Sequence, residues 1–457
     1  MRCLLPIVVT TLALLCGGCG TDAPKESNDN DSGNGNSSKD NSGNGNAVNG
    51  SSGSNVEVAA DDAAAVEALG AAGATFTRTE AGNIVEVDLS SPGAVGDNTT
   101  LAHLEHLPAL QRVRLYGPDY GDAGMEHVAK LTNLREIDLT RTAVTDAGIA
   151  KLKPVTELRS INLNQVPAIT DETLKHLAEL PNLRVIRLVK TGITDTGVAY
   201  LSDVQSLASL DLRQTRVSDK CFASLKNLSN LKSLRCQGTG STMQPDGIAD
   251  LKSLTTLTTL SLDNAQVTDA ALAELATLVN LEELQLYRAN ITDDGLATLA
   301  NFPKLRILGL RETAIGGVGF QHLTGLTNLQ VLQLAETSFG IDDEATKAIG
   351  DITSLVNLNL WDTFVTDEAF ADLANLKNMR VLNLENVGLS DVAMDTIAGF
   401  SELETLNIKG NDFTNDGLAK LHGLTKLKLV DAQFCPQITE EGAKALEAAI
   451  PGVQVKH

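Results

Sequence analysis

The residues able to do chemistry in this chain are few and far apart. Its seven histidines include one close pair, His103 and His106. A zinc hydrolase places two histidines one helical turn apart around a glutamate base, as His-Glu-x-x-His, and a structural zinc site pairs its cysteines as Cys-x-x-Cys. Neither pattern occurs beyond Cys19. His127, His176, His322 and His422 stand beside leucines at helical spacing, as solvated residues of amphipathic segments do. Gly-x-Ser-x-Gly elbows, phosphate-binding loops and dinucleotide fingerprints are missing too. No catalytic residue, metal or cofactor is therefore assigned. Beyond Cys19 the cysteines are Cys221, Cys236 and Cys435, and their positions read as buried thiols rather than a disulfide framework.

The carboxylates are better ordered. Aspartate follows a hydroxyl residue at Thr145-Asp146, Thr170-Asp171, Thr194-Asp195, Ser218-Asp219, Thr268-Asp269, Thr292-Asp293, Thr366-Asp367 and Ser390-Asp391. Thr or Ser is a natural helix N-cap, and an acid just after it sits at the positive end of the helix dipole. Asp122, Asp246 and Asp343 hold related positions. Part of the net charge of −22 thus has a structural cause. The balance of 58 acidic against 36 basic residues still argues against nucleic acid as a partner, and against adhesion to anionic lipid by charge alone.

These helix starts recur because the chain repeats itself. Leu131-Thr-Asn-Leu134-Arg-Glu-Ile137-Asp-Leu139 is followed by the same ladder from Val155, Leu180, Val204, Leu228, Leu254, Leu278, Phe302, Leu326, Ile352, Leu376, Phe400 and Leu424. Earlier units begin at Ala81 and Leu107, making fifteen units of about 24 residues over 81–449. Alternation around Ile137 and Leu139 predicts a short strand, and the segment from Val144 to Leu152 shifts to helical spacing. Residues 57–80, with the run Ala63 to Leu69, predict a capping helix, and 450–457 predict a closing strand.

The L-x-x-L-x-L ladder resembles the leucine-rich-repeat family, over about residues 60 to 457. The Thr-x-Ile-Thr-Asp-x-Gly-Leu style is similar to bacterial leucine-rich-repeat lipoproteins and to the cysteine-containing repeats of ubiquitin-ligase adaptors. Where the family commonly has Asn or Cys after the strand, this chain often has Thr, as at Thr142, Thr191, Thr215, Thr239, Thr313, Thr337 and Thr363; Asn411 and Cys435 keep the usual types. The resemblance implies an α/β solenoid, a horseshoe with a parallel sheet on the concave face and helices on the convex face. At about 4.8 Å per strand the face would run roughly 70 Å.

The first residues predict export. Met1-Arg2 and the apolar run Leu4 to Leu15 form a signal-peptide core too short to span a bilayer, giving a signal over 1–18. Gly18-Cys19 resembles the lipobox, which implies lipidation of Cys19; Cys16, not Leu, stands three residues before it. With Gly20 and Thr21 rather than Asp after the cysteine, the outer membrane or cell surface is the expected address. Residues 19–56 are rich in Ser, Asn and Gly and cannot bury a core, so they predict a disordered tether with an end-to-end distance of about 35 Å.

On the expected concave face, the outward strand positions of units two to seven carry Arg112, Arg114, Tyr116, Arg141, Arg187, Lys190, Arg213 and Arg235 against Glu136, Asp138 and Asp211. Units eight to fifteen carry Tyr287, Arg288, Arg311, Trp361 and Lys409 among seven acids. Arginine and exposed aromatics are what binding hot spots are made from. The sequence reading is an envelope-anchored module that binds a protein or an anionic polymer on this face, touching the membrane only through its lipid. The alternatives are a passive, self-associating envelope protein and, weaker, an enzyme with a site dispersed over the repeats.

Overall fold

In the computed structural model of the protein, residues 59–237, 245–337 and 341–457 are described. The signal sequence, Cys19 and the tether lie outside the described residues, as does Thr239. From Ile84–Leu89 to Gln454–Lys456, sixteen strands among the described residues run parallel and in chain order, each hydrogen-bonded to the next. Register is constant along this sheet. Ile137 pairs with Val113 and Ile161, and Leu284 with Leu260 and Leu308, so equivalent side chains stack in columns.

Each unit is one thin layer of core. In the third unit Leu134, Ile137, Leu139, Val144, Ile149 and Leu152 are almost wholly buried. Burying one such side chain is worth about 1.5–3 kcal/mol, but the layer is closed only by the layers on either side. Phe222, Phe302, Phe320, Phe370, Phe400 and Phe413 add bulk inside the array. The ends are covered separately. Helix Ala63–Ala71, N-capped by Asp62 through the Ala65 amide at 2.9 Å, buries Ala65 and Leu69. Strand Thr75–Arg78 pairs antiparallel with Ile84–Leu89 and occupies the first sheet edge. At the far end the ten-residue helix Glu440–Ala449 precedes the last strand.

The helices inside the array are four to eight residues long, too short to persist alone. A hydrogen-bonded clamp between units holds their first turns. Asp122 accepts the Thr145 amide at 2.8 Å and the Thr145 hydroxyl at 2.7 Å, while the same hydroxyl accepts from the Ala147 amide. Asp171 does the same for Thr194 at 2.8 and 2.6 Å, Asp195 for Ser218, Asp269 for Thr292, and Asp391 for Thr414. The sequence suggested a purely local role for these acids at the dipole of their own helix. In the structure each one also fixes the N-cap of the following unit. This arrangement explains the glycine two residues after many of them. A Cβ at Gly148 would overlap the Asp122 carboxylate, and one at Gly197 would overlap that of Asp171.

Candidate binding face

Outside the core, the sheet presents four columns of side chains. The first, in register with Glu86 and Glu136, holds Arg112, and the second, in register with Asp88 and Asp138, holds Arg114, Arg187 and Arg235. The third, just past the strands, holds Tyr116, Arg213, Tyr287, Arg311 and Trp361. The fourth holds Arg141, Lys190 and Arg288. All twelve residues named from the sequence therefore lie on one face, but they do not act alike.

The fourth column is left-handed backbone, which the sequence did not reveal. Arg141, Lys190, Arg288 and Phe434 have φ of 59°, 61°, 57° and 60°. Such a conformation disfavours any residue with a Cβ by about 1–2 kcal/mol. It persists because the bend is held on both sides. The Arg141, Lys190 and Arg288 amides donate to the carbonyls of Asn164, Arg213 and Arg311 in the next units, at 2.9–3.0 Å. Immediately after the bend, Thr142, Thr191, Thr215, Thr313 and Thr363 are buried and donate their hydroxyls back to Leu139, Leu188, Leu212, Leu310 and Leu360. Asn411 does more at this place. It donates to the Leu384 and Ile408 carbonyls and accepts from the amides of Gly388 and Leu389, tying two units together. Glycine at this bend, as at Gly117 and Gly410, is the usual signal for it; elsewhere the bend carries Arg, Lys, Gln, Glu, Asp, Asn or Phe and was not legible.

Most of the basic charge on the first half of the face is neutralised internally. Glu86 takes both Arg112, at 3.0 Å, and Arg114, at 3.1 Å. Arg213 grips Asp211 with two nitrogens, and Arg235 reaches across two strands to Glu283 at 3.1 Å. Three cations are left without a carboxylate among the described residues. Arg141 donates to Gln165 and to the Tyr116 hydroxyl, whose ring it also covers, and Arg187 and Lys190 form no ion pair. Reversing Arg213 or Arg235 would therefore break the protein's own ion pairs, so Arg141, Arg187 and Lys190 are the residues to reverse when testing a ligand.

The second half of the face carries an interlocked cluster. Arg288 and Arg311 both lie over the Tyr287 ring, at 4.8 and 5.3 Å from its centre, and Arg311 also lies 4.7 Å from that of Trp361. Ala335, between them on the third column, is fully buried. Glu312 accepts from the Tyr287 hydroxyl at 2.5 Å and from Arg288, while Glu336 accepts from Arg311. Burial and then the Glu312 hydrogen bond push the Tyr287 hydroxyl up to about 12. Burial raises Glu312, but Arg288 and Tyr287 outweigh it and leave the carboxyl below its usual range. The Trp361 indole N–H is shielded from solvent and has no acceptor among the described residues.

Most aromatics outside the core gather on this edge, the described exceptions being Tyr200 on the helical side and the half-buried Phe76 of strand Thr75–Arg78. Tyr116, Tyr287, Trp361, Phe364 and Phe434 lie on the third and fourth columns or the loop after them, and Phe364 and Phe434 are 75% and 78% exposed. Five cation–π contacts line the same edge, the last placing Lys409 over Phe434. Sequence reasoning named Arg141, Lys190 and Arg288 of the fourth column but passed over Phe434 in the same column and Phe364 in the loop after it. Among the described residues no group of three or more His, Cys, Asp and Glu could hold a metal ion, and no helix is long and apolar enough to cross a membrane.

Stacked units of one short parallel strand and one short helix make the described part of the chain a leucine-rich-repeat solenoid. Family models agree: the model described as a leucine-rich repeat region matches residues 134–297, and that described as a leucine-rich repeat matches 402–421. No curated protein matches the sequence. Among solved structures, an internalin (inlF) of Listeria monocytogenes superposes with a TM-score of 0.52 at 22% identity, covering 81% of this chain and 94% of that one. A leucine-rich-repeat protein of Leptospira interrogans matches at 17% identity and TM-score 0.43, over 81% of this chain and 93% of its own. A plant peptide hormone receptor, solved in complex with RGF2, matches at 14% identity and TM-score 0.40, over 78% and 67%.

Proposed function

We propose that this protein is a binding module, exported and lipid-anchored through Cys19 to the bacterial outer membrane or cell surface, with no catalytic step of its own. Its partner is a protein or an anionic polymer that docks on the concave face, along the edge past the ends of the strands. The observation that carries the reading is the gathering there of five of the seven described aromatic side chains that are not buried, interleaved with arginine and lysine. Exposed aromatics supply apolar area without much loss of side-chain freedom, and arginine supplies directed hydrogen bonds, so such a strip suits recognition. Arg141, Arg187 and Lys190 are free of internal carboxylates and would steer an anionic partner to one end.

A photo-crosslinking residue placed at Tyr116, Tyr287 or Phe434 in cells is expected to capture a saturable partner. The same residue at Tyr200, on the helical side, is expected to capture none. Capture from Tyr200 alone would move the site to the other face, and capture of nothing but further copies of this chain would make the protein a self-associating element of the envelope. Fatty-acid labelling that is equal in the native protein and in Cys19→Ala would refute the anchor.

A further inference from the structure

At the edge just before the strands, outside the four columns of the face, stands a further column of side chains. In units three to seven it carries Arg135, Arg159, Arg184, Ala208 and Lys232. The backbone stacks these positions directly. The Arg159 and Ser160 amides both donate to the Arg135 carbonyl, at 2.7 and 3.0 Å, and the Arg184 and Val185 amides to the Arg159 carbonyl, at 2.8 and 2.9 Å. The next step is the same, from Ala208 and Ser209 to Arg184, and so is the one after, from Lys232 and Ser233 to Ala208. Side-chain amides hold the loops that lead in: Asn133 donates to the Pro108 carbonyl, Asn182 to that of Thr156 and Asn230 to that of Gln205. The four cations are exposed, and their side chains have neither an ion pair nor a hydrogen bond among the described residues. Glu136 and Glu157 are the only acids within two residues of them, and neither pairs with one. Later units neutralise the same column. Glu282 replaces the cation, Arg306 donates to Gln330, and Arg380 and Lys428 share Glu404. Beside the arginines, the half-buried Ser160, Ser209 and Ser233 hydroxyls likewise make no hydrogen bond among the described residues. No aromatic residue stands in these loops or at the strand starts.

We propose that this edge is a second binding site, for a linear polysaccharide with a carboxylate on each sugar, laid along the array across units three to seven. The polymer runs from strand to strand, with carboxylates on Arg135, Arg159 and Arg184, Lys232 towards its end, and sugar hydroxyls against the serines. Arginine's planar fork matches a carboxylate with two parallel hydrogen bonds. Successive strands rise about 4.8 Å, close to the length of one sugar in an extended chain, so a polymer that repeats its charge sugar by sugar keeps pace with the ladder. A folded protein fits less well, since the centres of protein interfaces rely on aromatic and apolar anchors, which this edge lacks. An acidic peptide would satisfy the arginines but offer the serines none of the dense hydroxyls of a sugar. The site lies at the opposite ends of the strands from Tyr116, Tyr287 and Phe434, so it stands or falls apart from the docking edge proposed above.

The full chain is titrated calorimetrically, in physiological salt, with an oligogalacturonate long enough to span units three to seven. Saturable binding is expected. Arg135→Gln, Arg159→Gln and Arg184→Gln combined should weaken it about 10-fold, since each exposed pair contributes about 2-fold or slightly more. The melting temperature of that variant is expected to match the native protein, because the three side chains bond nothing within it. Lys190→Glu, at the other end of the strands and screened from the ladder by salt, should change affinity by less than about 2-fold. The methyl-esterified oligomer, neutral but rich in the same hydroxyls, is expected not to bind. Ser160→Ala, Ser209→Ala and Ser233→Ala combined should weaken the oligogalacturonate and leave polyglutamate of equal charge unaffected. Polyglutamate binding as tightly as the oligogalacturonate would overturn the proposal in favour of an acidic peptide. Equal affinity in the native protein and the arginine variant, binding of the methyl ester, or no binding of the oligogalacturonate would each overturn the site itself.

Discussion

Replacing Asp171 by Ala and by Asn separates two accounts of the repeated aspartates. Asp171 accepts the Thr194 amide at 2.8 Å and the Thr194 hydroxyl at 2.6 Å, both part-buried. A hydrogen bond to a charged group contributes about 1.5–3 kcal/mol, and an orphaned amide with partial access to water recovers some of that. The Asp171→Ala variant is therefore expected to lose about 2–3 kcal/mol locally. Asparagine can make the same clamp, because Asn415 already does: its carbonyl accepts the Thr439 amide at 3.0 Å and its amide donates to the Thr439 hydroxyl at 2.9 Å. Asp171→Asn should cost about 1 kcal/mol or less, the difference between a charged and a neutral acceptor. If the acid acted only on its helix dipole, Ala and Asn would cost the same, about 0.3–1 kcal/mol. Global unfolding of a long array need not be two-state, so the assay is hydrogen exchange resolved at the Thr194 amide, with urea denaturation as the second measure. Equal losses in the two variants would refute the clamp.

Other outcomes follow from the same geometry. Gly197→Ala is expected to cost about 2 kcal/mol in the native chain, since its methyl overlaps the Asp171 carboxylate, and clearly less in Asp171→Ala, where only the backbone Cα of residue 171 stays close; a double-mutant cycle by urea denaturation reads the coupling. Burial raises the Asp146 carboxyl, but the Thr170 and Thr173 hydroxyls and amides outweigh it and hold it below the usual range. A carboxyl lowered in the folded state stabilises above its unfolded value, near pH 3.9, and that stability is lost as pH falls through the folded value. The melting-temperature gap between the native protein and Asp146→Asn should accordingly narrow from pH 6 towards pH 2. Phe434→Gly removes a bulky residue from left-handed backbone and should raise stability by up to about 1 kcal/mol while weakening capture of the partner; thermal melting and the crosslinking assay check the two halves. Reversal of Arg141, Arg187 and Lys190 to Glu is expected to slow association with an anionic partner and flatten its salt dependence, with a small drop in melting temperature from the lost Arg141 bonds to Gln165 and Tyr116.

The repeat period, the strand and helix within each unit and the hydroxyl at most helix starts were legible in the residues, because each depends on neighbours a few positions away. Leu131 to Leu152 state a whole unit, and the next unit states it again. The solenoid followed from that periodicity, since a layer so thin can bury its leucines only against copies of itself. The columns of Arg112, Arg114, Arg187 and Arg235 followed as well, from strand alternation and constant register.

What they do there was settled only by the tertiary structure. Arg235 looked like part of a basic cluster until Glu283, 48 residues further on, was brought within 3.1 Å of it. Glu86 neutralises Arg112 and Arg114 from a strand that the count of charges began after. Asp171 looked like the servant of its own helix and proved to hold the next. In each case the deciding distance lies between units, and it depends on which of several rotamers a long side chain adopts. Composition and spacing determine which column a residue occupies. They do not determine which neighbour it bonds, because the free-energy differences between those partners are set by packing and desolvation that exist only once the columns have stacked.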